Sequence, residues 1–124
     1  EMRSQALRGA LQLIDADRTK SEDEKLEILN VLLGDTRDDK EKDLVISGYG
    51  EIDTLACLEK LVRLMRELGS RPELENSIRE ITRNVYISES EKTRDLILQA
   101  QSLSSNEEFR QWIDDGLKHE RFGY

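Results

Sequence analysis

A single cysteine, Cys57, and a single proline, Pro72, are all that this chain of 124 residues has of either type. One cysteine excludes an internal disulfide, so stability has to come from buried apolar surface, and a chain of this length can bury enough. It also fits a reducing compartment, and a cytoplasmic location is the expectation. Histidine is equally scarce: His119 stands alone beside Lys118 and Glu120. Zinc centres and histidine-based catalysis need several ligands or an orienting partner, and an exposed helix end is the simpler reading of His119. No apolar run approaches the roughly 18 residues of a membrane span. The first apolar segment is broken by Arg8 and Gly9, so no signal peptide is expected. Strand signals reduce to Val85-Tyr86-Ile87, too short to found a sheet. Gly48-Tyr49-Gly50 lacks the lysine and the following helix register of a phosphate loop and reads as a turn.

Positive charge is also in deficit. The 27 acids outnumber 19 bases, for a net charge of −8. Such a balance repels phosphate backbones and anionic lipid, which argues against a nucleic-acid or membrane-surface role for the domain as a whole. Arg63, Arg66 and Arg71 are the nearest approach to a basic face. Hydrophobic residues make up 36% and charged residues 37%, and the two are interleaved at helical spacing, as solvated helix faces require. The chain is expected to be one all-helical domain over 1–124, and the absence of Met at position 1 is compatible with a piece of a longer protein.

What the sequence does have is helix punctuation. A Ser followed three residues later by Glu forms a capping box, in which the hydroxyl accepts from a free backbone N–H and the carboxylate reaches back. Ser21 with Glu24, Ser70 with Glu73, Ser88 with Glu91, and Ser104 with Glu107 or Ser105 with Glu108 fit the pattern. Pro72 falls near a first helical turn, where its missing N–H costs little. Apolar periodicity then predicts seven helices, near 3–15, 22–33, 36–47 (capped by Asp35), 51–68, 72–84, 89–101 and 106–118. The fourth has the widest stripe, from Ile52 through Leu55, Leu58, Leu61, Val62, Leu64 and Met65 to Leu68, and is expected at the centre. The expected architecture is a compact bundle of six or seven short helices.

Cys57 lies on that broad stripe, where a buried small hydrophobe is the simpler reading than a nucleophile. Asp114 and Asp115 are adjacent on a helix and point apart. No acid, base and nucleophile assemble in the sequence, so a non-enzymatic role without a cofactor is the expectation.

Two acidic stretches remain. An EF-hand reading from Asp15 has acids at its first and third positions, then fails at Lys20 and Leu26, where Gly and Glu are needed. A looser divalent-cation site from Asp15, Asp17, Glu22 and Glu24 stands beside the plainer reading of first-turn acids complementing helix dipoles. Asp35, Asp38, Asp39, Glu41 and Asp43 form the second stretch, a candidate contact for a basic protein partner. Phe109 and Trp112 share a helix face with Ile113, as core or as an aromatic anchor for a partner. Phe122 and Tyr124 are expected to be exposed or frayed.

Ser-Glu-x-Glu-Lys occurs twice, at Ser21 and Ser88, each time between two amphipathic stretches. That pattern is what a duplicated helical hairpin, or two independent capping boxes, would leave. The elbow Ala16-Asp17, followed by Ser21 and Glu24, resembles that of tellurite-resistance TerB-like domains, and Ile87, Ser88 and Glu91 echo it in the second copy. Arg18 stands where that pattern has Gly, and Asn84 and Val85 stand where it has Asp and Gly. The resemblance implies an acidic all-helical bundle, divalent-cation binding near the elbows, and a role in bacterial stress or membrane-associated complexes. The stretch LEKLVRLMRELGSRPELENSIREITRN also has the rhythm of an armadillo- or HEAT-like unit, long helix, Pro-containing turn, helix. The reading preferred here is an acidic helical protein-interaction module.

Overall fold

The computed structural model describes residues 2–16 and 20–122. Seven α-helices occupy them: α1 (Met2–Ala16), α2 (Glu22–Gly34), α3 (Asp39–Tyr49), α4 (Leu55–Leu68), α5 (Pro72–Val85), α6 (Ser90–Leu103) and α7 (Glu107–His119). No strand occurs among the described residues, and none of their helices is long and apolar enough to cross a membrane.

Two amphipathic helices make the centre. Along α4, Cys57, Leu58, Leu61, Val62, Leu64 and Met65 are buried, and along α5, Leu74, Ile78, Ile81 and Val85 are. The two helices pack on each other, both touch α6, and α5 also touches α3. The expected central place of α4 is therefore shared with α5. Outward from this pair, α7 packs on α6, while α1 and α2 both pack on α3. Complete burial of each Leu or Ile in this core contributes about 1.5–3 kcal/mol relative to exposure.

Helix starts follow capping chemistry, but only one expected box forms. Glu24 N donates to Ser21 Oγ at 3.1 Å, and Ser21 N donates to Glu24 Oε1 at 3.2 Å. At α5 the N-cap is Arg71, with Pro72 in the first turn, and the Ser70 hydroxyl turns instead to the Glu75 carboxylate. Ser88 donates to Val85 O at 3.3 Å, leaving Glu89 at the N-cap of α6. Asn106, neither Ser104 nor Ser105, caps α7 by accepting from Glu108 N at 3.0 Å. Helices α3 and α4 begin later than the apolar pattern predicts because Asp38 and Thr54 cap them, accepting from Glu41 N at 2.8 Å and Cys57 N at 3.2 Å. Asp35 instead closes α2, its N–H directed to Leu32 O and Leu33 O. Gly69 ends α4 at φ 85°, a left-handed conformation that a side chain would strain.

The two Ser-Glu-x-Glu-Lys segments thus differ locally: Ser21 caps a helix and Ser88 does not. Their helices differ in packing as well, α1 resting on α3 while α5 is enclosed by α3, α4 and α6.

Candidate functional site

The least covered part of the molecule is the α1–α2 layer. Among the described side chains α1 has none fully buried, and α2 has only Leu29. Leu7, Leu11 and Ile14 of α1, with Leu26, Leu32 and Leu33 of α2, rest partly buried against the core. Leu13 and Val31 are left 74% and 66% exposed. The cause is legible in α2 itself: LEILNVLL is apolar around most of its circumference, and a single neighbouring helix cannot cover it. A groove of about 240 Å³ runs here, lined by Ala6, Leu7, Ala10 and Leu32 together with Asp35, Thr36 and Glu41. Asp23 and Glu27 are exposed along α2, and Glu27 lies one turn before Val31 on the same face.

The acidic stretch beside that groove is partly engaged in holding α3. Asp38 is its N-cap, and Glu41, 5% exposed, accepts from Arg37 N at 2.9 Å. The Arg71 guanidinium lies 3.0 Å from Asp43 and 3.5 Å from Asp39, tying the start of α5 to α3. Asp35, Asp38 and Asp39 nonetheless face solvent, so this end of the groove keeps negative charge.

Of the candidate cation site, only Glu22 and Glu24 have described side chains. Asp17 and the side chain of Asp15 lie outside the described residues. Glu22 is exposed, and Glu24 is occupied by the capping box of α2. Among the described residues no three His, Cys, Asp or Glu side chains form a group that could hold a metal ion.

Phe109 and Trp112 do meet, with ring centroids 6.3 Å apart and nearly parallel. Phe109 is fully buried and Trp112 half-buried. The Arg79 guanidinium sits over both rings, at 5.6 and 5.5 Å from their centroids. Phe122, expected to be exposed or frayed, is half-buried instead, its centroid 4.9 Å from those of Trp112 and Tyr86. Tyr124 lies outside the described residues.

Cys57 is fully buried, and its Sγ donates to Tyr49 O at 3.2 Å. Burial, with smaller contributions from the Asp53 and Glu22 carboxylates, pushes the thiol pKa up to about 12. A thiol held protonated in this way serves as a packing group. The Tyr49 hydroxyl, donating to Asn30 Oδ1 at 2.7 Å, is likewise pushed upward, by burial first and by Cys57 second. For an acid whose folded pKa is raised, the unfolded chain releases its proton first, so stability falls as pH rises through the interval between the two values. Unfolding free energy is therefore expected to decline as pH rises from 9.0 toward 12. Urea titrations across that range should show the decline, and Cys57→Ala should flatten its early part. An equally steep decline in that variant would remove Cys57 as the cause.

One polar cluster escaped the sequence reading. Glu75, 4% exposed, accepts from Ser104 Oγ at 2.8 Å, from Asn106 Nδ2 at 2.8 Å and from the Ser70 hydroxyl. Asn106 N in turn donates to Ser104 Oγ at 3.0 Å. The node ties the α4–α5 junction and the α6–α7 junction to the first turn of α5. Glu75 reads in sequence as a first-turn dipole acid; the available signal was its place beside Leu74 on the edge of the Leu74-Ile78-Ile81 stripe. His119 is exposed at the end of α7, remote in role from any such cluster.

The fold and these sites place the chain among all-α helical bundles. Comparison with known proteins found no match to a family model, a curated protein or a solved structure.

Proposed function

We propose that this chain is a non-enzymatic protein-interaction module whose α1–α2 face docks a basic amphipathic helix. The observation that carries the reading is the thin covering of α1 and α2, whose Leu13 and Val31 stay exposed and whose Ala6, Leu7, Ala10 and Leu32 line a groove. Exposed apolar side chains on thinly covered helices are a common feature of association sites. Helix-in-groove docking would supply apolar side chains at i, i+3, i+4 and i+7. The rim carries exposed Asp23, Glu27, Asp35, Asp38 and Asp39 beside exposed Arg8, Arg37 and Lys40; the excess of acids favours a basic partner, and complementary charge speeds encounter and fixes register.

The test is calorimetric titration with a synthetic leucine- and lysine-patterned helix, against the wild-type chain and the Leu13→Glu and Val31→Glu variants. Each substitution adds negative charge to an already acidic face, so purely electrostatic association would tighten. Apolar docking should instead weaken by about tenfold or more, the scale of a truncated anchor residue. Unchanged or tighter binding in both variants, with helical content preserved, would overturn the reading.

A further inference from the structure

The segment after α7 does not trail away from the bundle. Glu120 adopts φ 55° and ψ 34°, a left-handed conformation uncommon for a non-glycine residue. Its N–H and that of Arg121 both return to Gly116 O. The turn lays Phe122 between Tyr86, edge to face at 69°, and Trp112, tilted at 53°. The floor beneath the ring is Gly116, one helical turn beyond Trp112. A Cβ built there would lie 2.0 Å from Phe122 Cε1, so the ring can occupy this position only because the residue is glycine. On the same strap the Glu120 carboxylate reaches Arg94 of α6 at 3.9 Å, with Glu120 largely and Arg94 partly in water. An aromatic slot with a glycine floor and a flanking guanidinium is therefore filled by an acid and, two residues on, a phenyl ring.

We propose that this slot is a recognition site for peptides bearing an acidic residue two positions before an aromatic one, and that Glu120-Arg121-Phe122 occupies it as an intramolecular stand-in. Ring and carboxylate are read by separate elements: Tyr86, Trp112 and Gly116 take the ring, and Arg94 takes the acid. The stand-in is built to be exchanged. Beyond the two N–H bonds to Gly116 O, which belong to the helix end itself, it is held by one half-buried ring and one ion pair at 3.9 Å. A competing peptide has to overcome only the effective concentration of a short tether, which is in the millimolar range. This surface is distinct from the α1–α2 face, so the two proposals stand or fall separately.

Trp112 is the only tryptophan, and its emission reports directly on the slot. In the Phe122→Ala variant of the full chain, emission should shift to the red while the helical circular dichroism signal persists. A hexapeptide of sequence HERFGY should then bind saturably and reverse the shift. Its affinity for the wild-type chain should be at least about tenfold weaker, because the tethered ring competes. A peptide with Ala in the Phe position should not bind, and one with Lys in the Glu position should bind severalfold more weakly. Adding Gly116→Ala to Phe122→Ala should abolish binding by filling the floor. Should the alanine variant lose helical signal, Phe122→Leu keeps an apolar cover and takes its place with the same expected ranking. The proposal is overturned if the folded variant shows no saturable response, if the Phe-less peptide binds equally, or if the wild-type chain binds as tightly as the variant.

Discussion

Replacing Glu75 by alanine is expected to lower the unfolding free energy by about 3 kcal/mol, the scale on which a buried charge-assisted network is broken when its acceptor is removed. The substitution takes away one carboxylate and strands three donors. Ser104 is 6% exposed, and with Asn106 and Ser70 it converges on Glu75. Water reaches Asn106 and part of Ser70, but not Ser104, so the Ser104 bond is not simply exchanged for hydration. Glu75→Gln is expected to cost less, about 1–2 kcal/mol, since one carbonyl acceptor remains while the new amide faces a donor. Urea denaturation of the two variants, combined with Ser104→Ala in a double-mutant cycle, measures the coupling. Because the node joins two interhelical junctions, amide exchange should quicken near both Ser70 and Asn106. A loss under about 0.5 kcal/mol for Glu75→Ala, the range of an ordinary surface change, would show that the node does not hold the junctions.

Phe109→Ala is expected to cost about 3–5 kcal/mol, the range for deleting a fully buried aromatic ring. Phe109 is 0% exposed, stacks on Trp112 and lies under the Arg79 guanidinium. Removing it opens a void beneath α7 and takes an apolar wall from Trp112. Trp112→Ala should cost less, because that ring is only half-buried. Thermal or urea unfolding of both variants gives the order. A small effect for Phe109 combined with loss of peptide binding would instead make it a surface anchor. The structure places it on the core side of the aromatic cluster, with Trp112 and Phe122 toward solvent.

Much of the architecture was legible because local rules and global packing agree. The stripe Leu58-Leu61-Met65 is buried as its spacing requires, and Leu74-Ile78-Ile81 lies against it. Six or seven helices were expected; seven are found among the described residues, and their boundaries fall within a few residues of the pattern. The capping serines were read less well. Ser21 caps as expected, but Ser70 and Ser104 serve Glu75, and Thr54 and Asn106 take up caps that no Ser-x-x-Glu pattern marks. A hydroxyl at a chain bend can bond its own backbone or a distant carboxylate, and local spacing does not distinguish the two. The acidic stretch 35–43 shows the same limit. Asp38 is satisfied within its own helix, whereas Asp39 and Asp43 depend on Arg71, far along the chain.

By itself the sequence determined the elements: rods of helix, their apolar sides, and an acidic surface without a disulfide. Helix period and capping act over a few residues, so they can be read from a line of text. Only the tertiary structure decided which apolar sides remained uncovered on α1 and α2, which carboxylate was sealed among three donors, and which ring came to rest on Gly116. Those outcomes depend on groups distant in the chain competing for the same volume, and that competition is settled only when the helices meet.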